Sequence, residues 1–368
     1  MSQTQSLLFL PARLGGIALK NHVVMAPLTR SRALGNVPNA LMATYYGQRA
    51  GAGLIITEGT SPAANGLGYS RIPGLYSPAQ VAGWKLVTDA VHAKGGHIFV
   101  QLMHTGRISH PLNLPAGAEM VAPSALAAAG EMWTDQEQMQ PQPTPRALTT
   151  AEVKELVQQH VQSARLAIEA GFDGVELHGA NGYLIEQFLN PAANQRTDEY
   201  GGSLENRSRF ALEVAAGVVA AIGAERVGIR LSPYSQAGDL KPFDDLDAQY
   251  LYLAEQLQQL GLVYLHLVDH SSMGGAKVPT ELVAGIRERF TNTLILSGGY
   301  DKPRAEADLQ SGKGDLITFG RPFISNPDLV ARMQQDAELA QPNPDLFYTP
   351  GPEGYTDYPV LAQAKAKA

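Results

Sequence analysis

The 368-residue chain has no cysteine, which excludes disulfides, thiolate nucleophiles, cysteine-ligated zinc and iron–sulfur clusters. Charge is sparse as well: Asp, Glu, Lys and Arg make up 17% of the residues, against a typical ~25%. The formal net charge is −7, and no run of Lys or Arg offers an electrostatic footprint for nucleic acid or an anionic membrane. No apolar stretch approaches the ~20 residues of a membrane span. Met1 to Ser6 lack the positive charges of a signal peptide, and Leu7–Leu10 is too short for its apolar core. The expectation is a cytoplasmic protein whose partners are neither nucleic acid nor membrane.

Missing signatures narrow the chemistry further. There is no Gly-x-Ser-x-Gly elbow for a serine hydrolase and no Gly-x-Gly-x-x-Gly after a strand for a dinucleotide fold. No lysine stands at the C-terminal end of an expected strand for Schiff-base work, Lys277 in a Gly-rich loop being the nearest. The nine histidines are scattered. His266 and His270 straddle a strand end, where a spacing of four does not align two rings as it would on a helix, so no metal is expected.

Glycine is abundant, 37 residues against ~26 at the usual ~7%, as suits many tight strand-to-helix turns. Eight short apolar runs, at Val23–Pro27, Gly53–Glu58, His97–Leu102, Asp173–His178, Val227–Ser232, Val263–Val268, Thr293–Ser297 and Leu316–Gly320, alternate with helix-like segments. Eight is the strand count of a (β/α)8 TIM barrel, expected here as one domain over 1–368. Leu7–Lys20 is expected to form a hairpin around Gly15-Gly16 that plugs the N-terminal end of the barrel. Thr149-x-x-Glu152 predicts a helix start, with Val153, Leu156, Val157, Val161 and Ala164 on one apolar face and Gly171 as the stop. Ser203 predicts another start, running to Gly223. His104–Leu148 is too long for a crossover turn and is expected as an irregular insertion after the third strand, lying over the barrel mouth. The end of the chain, 359–368, is expected to fray.

The most informative stretch is Asp173 to Tyr183. Its strand alternates, with Val175, Leu177 and Gly179 on the helix side and Gly174, Glu176 and His178 on the lumen side. His178 then stands at the C-terminal mouth, where barrel enzymes keep their active sites, and Asn181 and Tyr183 follow it. The same parity sends Arg230 and Gln101 inward and places Thr29 at the mouth. Arg230 needs an anionic partner, which could be Glu176, a second barrel acid or a ligand. Ser297-Gly298-Gly299-Tyr300 and Phe319-Gly320-Arg321-Pro322 close the last two strands, where barrels often build a phosphate site. Glycines there admit backbone N–H groups to an anion, and Arg321 could clamp it.

Met25–Arg30, Gln101–Arg107, His178–Leu184, Asn194–Arg207 and Phe319–Pro322, taken together and in this order, resemble the old yellow enzyme family of FMN-dependent ene-reductases, most closely its bacterial branch typified by N-ethylmaleimide reductase. The resemblance covers about Leu7 to Tyr358. It implies one non-covalent FMN in the barrel mouth, reduced by NADPH or NADH, passing hydride to the β-carbon of an activated alkene such as an unsaturated carbonyl, a maleimide or a nitroalkene. By position, Pro27, Thr29, Gly59, Gln101 and Arg230 would surround the flavin, and Gly298, Gly299, Gly320 and Arg321 its phosphate. His178 and Asn181 would bind the substrate oxygen, Tyr183 would supply the proton, and Tyr69, Met103 and Tyr355 would wall the pocket. Many relatives carry tryptophan where this chain has Met103, and some carry histidine where it has Asn181. A reductase of nitrate esters or nitroaromatics, a flavin-binding sensor without turnover and a flavin-free phosphate-binding isomerase are the alternatives. Monomer and homodimer are both compatible with the sequence.

Overall fold

All eight apolar runs become parallel barrel strands in the computed structural model, which describes residues 6–361. An antiparallel hairpin of β1 (Ala12–Leu14) and β2 (Ile17–Leu19) precedes the barrel strands β3 (Val23–Met25), β4 (Leu54–Thr60) and β5 (Ile98–Leu102). The segment after β5 adds β6 (Val121–Ala122), β7 (Glu131–Thr134), β8 (Gln138–Pro141) and β9 (Arg146–Ala147). The barrel resumes with β10 (Gly174–Gly179), β11 (Val227–Leu231), β12 (Tyr264–Val268), β13 (Thr293–Ser297) and β14 (Leu316–Phe319). Pairing of β14 with β3 closes the ring, with Ile317 opposite Val23 and Phe319 opposite Met25. The fold is a (β/α)8 TIM barrel.

Its helices are α1 (Ala40–Gln48), α2 (Pro78–His92), α3 (Thr150–Glu169), α4 (Leu184–Leu189), α5 (Leu204–Ile222), α6 (Leu246–Gln259), α7 (Thr280–Arg289), α8 (Lys302–Gln310), α9 (Arg321–Ser325) and α10 (Leu329–Gln334). Local chemistry starts them where the sequence says. Thr149 accepts the Glu152 N–H and Glu152 returns to the Thr149 N–H, a capping box worth about 1 kcal/mol. Ser203 caps α5 by accepting the Asn206 N–H. Among the described residues no helix is long and apolar enough to cross a membrane.

Strand parity divides the interior. Val175, Leu177, Val227, Ile229 and Leu231 pack outward under the helices in the main core. A one-residue slip of register would turn all of them into the lumen, so burial at ~1.5–3 kcal/mol per aliphatic side chain fixes which residues face inward. The lumen itself is graded. Its floor is apolar, with Leu14 and Leu19 of the hairpin plugging against Leu54, Phe99, Tyr264 and Leu316. Its upper half carries Glu176, Gln101, His266 and Arg230, all buried.

One expectation is corrected. The segment from His104 to Leu148 is not irregular throughout: β7 and β8 form an antiparallel hairpin in register from Glu131–Pro141 to Thr134–Gln138, and β6 pairs with β9. The hairpin turn has no glycine; Gln138 takes the left-handed backbone at φ 62°, and the Thr134 hydroxyl bridges the Glu137 N–H and the Gln138 carbonyl. Of the end expected to fray, 362–368 lie outside the described residues. Pro359 O accepts from Arg332 Nη2 at 2.9 Å and the Leu361 N–H donates to Asp328, so the chain is held to that point.

Candidate active site

At the end of β10 the chain turns sharply and carries three polar side chains to the mouth. His178 is 4% exposed, and its Nδ1 accepts the Ala180 N–H at 3.3 Å. That bond leaves Nε2 as the N–H donor. Burial, reinforced by the charge of Arg230 and by His266 and His270, drives its pKa well below the usual imidazole value, so the ring is neutral. Asn181 follows with a left-handed backbone and a buried Oδ1 that has no partner. Tyr183 lies edge-on to the His178 ring, with centroids 4.9 Å apart. Its hydroxyl is 2.9 Å from that of Tyr69. Burial pushes the Tyr183 phenol above its ordinary range, against the pull of the Tyr69 hydrogen bond, so it keeps its proton at neutral pH.

Beneath them Glu176 gathers the polar lumen. It accepts from Gln101 Nε2 at 2.8 Å, Tyr264 Oη at 3.1 Å and His266 Nδ1 at 2.8 Å, while His266 Nε2 meets Thr318 Oγ1 at 3.2 Å. Burial opposes ionisation of Glu176, but His266, Arg230 and the Gln101 amide outweigh it and hold the carboxyl below its ordinary range. Glu176 is therefore satisfied without a direct bond from Arg230. Arg230 is 7% exposed, and its Nε has no hydrogen-bond partner. An unpaired buried donor costs about 1–3 kcal/mol, more when charged.

Arg230 and Asn181 open into a cleft of about 460 Å³ that also contains Pro27, Thr29, Gly298, Gly299, Gly320 and Arg321. The cleft fits a planar group with acceptors over Arg230 and a phosphate at its far end. There the backbone is built for close approach: Gly298 has φ 138°, and a Cβ on it would collide with the Asp269 carbonyl. Gly320 caps α9, whose first residue, Arg321, is exposed at the cleft edge. Cleft, orphaned donor and glycine cradle fit an FMN.

A second cavity of about 740 Å³ shares Thr29 and Tyr348 with the first and is lined by Tyr69, Tyr183, Met132, Trp133 and Met139. Its roof is the β7–β8 hairpin. Its side wall is 345–350, held by two buried arginines of the loop after β3. Arg30 donates to Phe347 O at 3.0 Å and Gly354 O at 2.7 Å; Arg32 donates to Phe347 O at 2.6 Å, Leu346 O at 2.9 Å and Glu353 O at 3.0 Å. Arg71 adds a bond to Tyr348 O at 2.8 Å and an ion pair to Asp135 of the hairpin turn.

Not every expected residue reaches these cavities. Gln101 is directed to Glu176 with its amide nitrogen, and Gly59 lies where a side chain would occupy the volume of Met103. Met103 is 2% exposed and packs behind Tyr69 and Tyr183. Tyr355, expected as a pocket wall, lines neither cavity: it is wholly buried, stacked on Tyr45 at 4.0 Å beneath the Arg30 and Arg32 guanidinium groups. The aromatic wall from that part of the chain is Tyr348. Trp133, Met139 and Tyr348 are absent from the expected site, although large apolar side chains among Gln, Asp and Pro were a usable signal.

Comparison with known proteins gives matches over nearly the whole chain. Residues 7–340 match the family described as NADH:flavin oxidoreductase / NADH oxidase. The probable flavin mononucleotide-dependent alkene reductase of Leishmania infantum is 42% identical, with 98% of this chain and 99% of that protein covered. Among solved structures, morphinone reductase in complex with tetrahydroNAD is 47% identical with a TM-score of 0.91, covering 96% of this chain and 97% of that one. The old yellow enzyme homologue from Zymomonas mobilis is 42% identical with a TM-score of 0.92, covering 96% of this chain and 99% of that one.

Proposed function

Because the chain belongs to the NADH:flavin oxidoreductase / NADH oxidase family, in its old yellow enzyme branch, we propose that it reduces the C=C bond of activated alkenes with NADH or NADPH as the electron source. It is an FMN-dependent oxidoreductase. Bound FMN supplies the hydride that adds to the β-carbon. Pro27, Thr29 and Arg230 are the residues that would hold the ring, and Gly298, Gly299, Gly320 and Arg321 those that would hold the phosphate; Gln101 and Gly59 stand behind them, against Glu176 and Met103.

The observation that carries the reading is that Asn181 lines the Arg230 cleft and Tyr183 the cavity beside it, with the neutral His178 ring 4.9 Å from Tyr183 and buried behind both. Hydride addition builds negative charge on the α-carbon and on the activating oxygen. His178 donates from Nε2 to that oxygen, and Asn181 donates from its amide, so both act where charge develops rather than where it already is. Tyr183 gives its proton to the α-carbon. Tyr69 holds the Tyr183 oxygen in place, and the hairpin roof limits access of water.

The test is twofold. Mass spectrometry of cofactor released by heat is expected to show FMN, and anaerobic mixing of the reduced protein with 2-cyclohexenone is expected to reoxidise it rapidly. A flavin-free protein after reconstitution, or one reoxidised by a nitrate ester but not by the enone, would overturn the assignment.

A further inference from the structure

We propose that Glu186, a buried carboxylate that touches none of the reacting groups, positions Asn181 for the substrate by gathering the amide N–H groups of its turn, so that enone affinity depends on Glu186 being ionised. The inference rests on the functional reading above. Asn181 and Gly182 sit in left-handed backbone, φ 60° and 80°. Asparagine enters this region more readily than other non-glycine residues, at a small cost that the hydrogen bonds of the turn offset. Glu186, in the first turn of α4 and 3% exposed, gathers those bonds. One carboxylate oxygen accepts the Gly182 N–H at 2.6 Å. The other accepts Ser232 Oγ–H at 2.8 Å and Tyr250 Oη–H at 3.0 Å. Ser232 Oγ in turn accepts the Asn181 N–H at 2.9 Å. The carboxylate thus holds Gly182 directly and Asn181 through one hydroxyl.

Tyr250 is the one ionisable side chain that reaches this carboxylate from α6. From the end of β11 only Ser232 reaches it, and from the turn only the Gly182 backbone; no Lys, Arg or His side chain pairs with it among the described residues. Burial pushes the carboxyl up to about 7, with the Gly182, Ser232 and Tyr250 donors pulling the other way. Once protonated, the carboxyl must itself donate to Ser232 or Tyr250, and one of its three donors loses an acceptor. The turn then loses part of the hydrogen bonding that fixes Asn181 in place. Glu186 is a positioning residue, acting through Ser232.

The experiment measures the affinity of 2-cyclohexenone, which does not ionise, for the oxidised holoenzyme by flavin absorbance from roughly pH 5.5 to 8.5. The wild type is expected to bind about fivefold more tightly on the alkaline side, the worth of one hydrogen bond. Glu186→Gln is expected to be flat across this range at the acid-side value. Tyr250→Phe removes one donor from the carboxylate and is expected to move the inflection to higher pH, a test that does not depend on Glu186→Gln folding. A purely structural Glu186 would lower the melting temperature and leave the inflection in place. The proposal is overturned if Glu186→Gln retains either the inflection or the wild-type alkaline affinity, or if Tyr250→Phe leaves the midpoint unmoved. A wild-type holoenzyme that binds no enone at any pH would overturn the functional reading itself, and this inference with it.

Discussion

The hydroxyls of Tyr69 and Tyr183 stand 2.9 Å apart, with the two rings edge to face at 87°. In the proposed function this contact orients the Tyr183 hydroxyl as proton donor. Positioned proton transfer typically contributes ~10²- to 10⁴-fold, so Tyr183→Phe is expected to slow enone reduction by a factor in that range and leave flavin reduction by NADH or NADPH little changed. Tyr69→Phe removes only the orienting bond and should cost about tenfold or less. Stopped-flow measurement of the two half-reactions separates the cases; equal slowing of both by Tyr183→Phe would mark it as a binding residue.

In the proposed function His178 and Asn181 bind one substrate oxygen. A phenolate is expected to bind there and give a long-wavelength charge-transfer band with the flavin. Replacing either residue by alanine removes a donor aimed at developing charge and should cost ~3 kcal/mol in the alkene step. Titration with a phenol followed by single-turnover kinetics checks this, and unchanged phenol affinity in His178→Ala would exclude the role.

At the phosphate end, Gly298→Ala would drive a methyl group into the Asp269 carbonyl, at φ 138°. Backbone strain of this kind costs of order 1–3 kcal/mol. Since it falls on the cradle, the variant should lose FMN during gel filtration while keeping the barrel's circular dichroism. Full FMN retention would show that the cradle does not lie at Gly298.

Glu58, on β4, is wholly buried beside the Arg30 N–H and the Tyr46 hydroxyl, and burial pushes its carboxyl from 4.5 up to about 7. The folded protein therefore binds this proton more tightly than the unfolded chain. The stability it contributes is full below the unfolded value and is lost as pH rises through about 7. Glu58→Gln, compared with the wild type by urea unfolding, should gain up to about 3 kcal/mol in relative stability between roughly pH 5 and 8. The buried histidines His104 and His160 titrate in the opposite sense but are common to both proteins and cancel. A difference that does not change with pH would refute it.

The barrel was legible because its signals are local. Apolar runs such as Val263–Val268 end where the period breaks, and Thr149 with Glu152 marks a helix start without help from the rest of the fold. Parity placed Glu176, Gln101 and Arg230 in the lumen, because a two-residue period allows no other arrangement once the aliphatic side chains are buried. The hairpin of Glu131–Pro141 was hidden because its strands are half exposed and its turn depends on the Thr134 hydroxyl rather than on glycine. Tyr355 shows the limit for single aromatics: only the tertiary approach of Arg30 and Arg32, more than 300 residues earlier in the chain, places it in the core rather than in the pocket. The network from Glu186 through Ser232 to Asn181 joins residues 46 and 51 apart, and no local pattern announces it.

The grip of Arg30 and Arg32 on the carbonyls of Leu346, Phe347, Glu353 and Gly354 joins the beginning of the chain to its last part. A chain made from its N-terminus at about 5–20 residues per second completes its eighth barrel strand at Phe319, some seconds before these carbonyls exist. The eight barrel strands and the segment that finishes the mouth are thus separate stretches of sequence: a chain ending at Phe319 would carry the lumen residues and both arginines but neither the Tyr348 wall nor the carbonyls that the arginines hold.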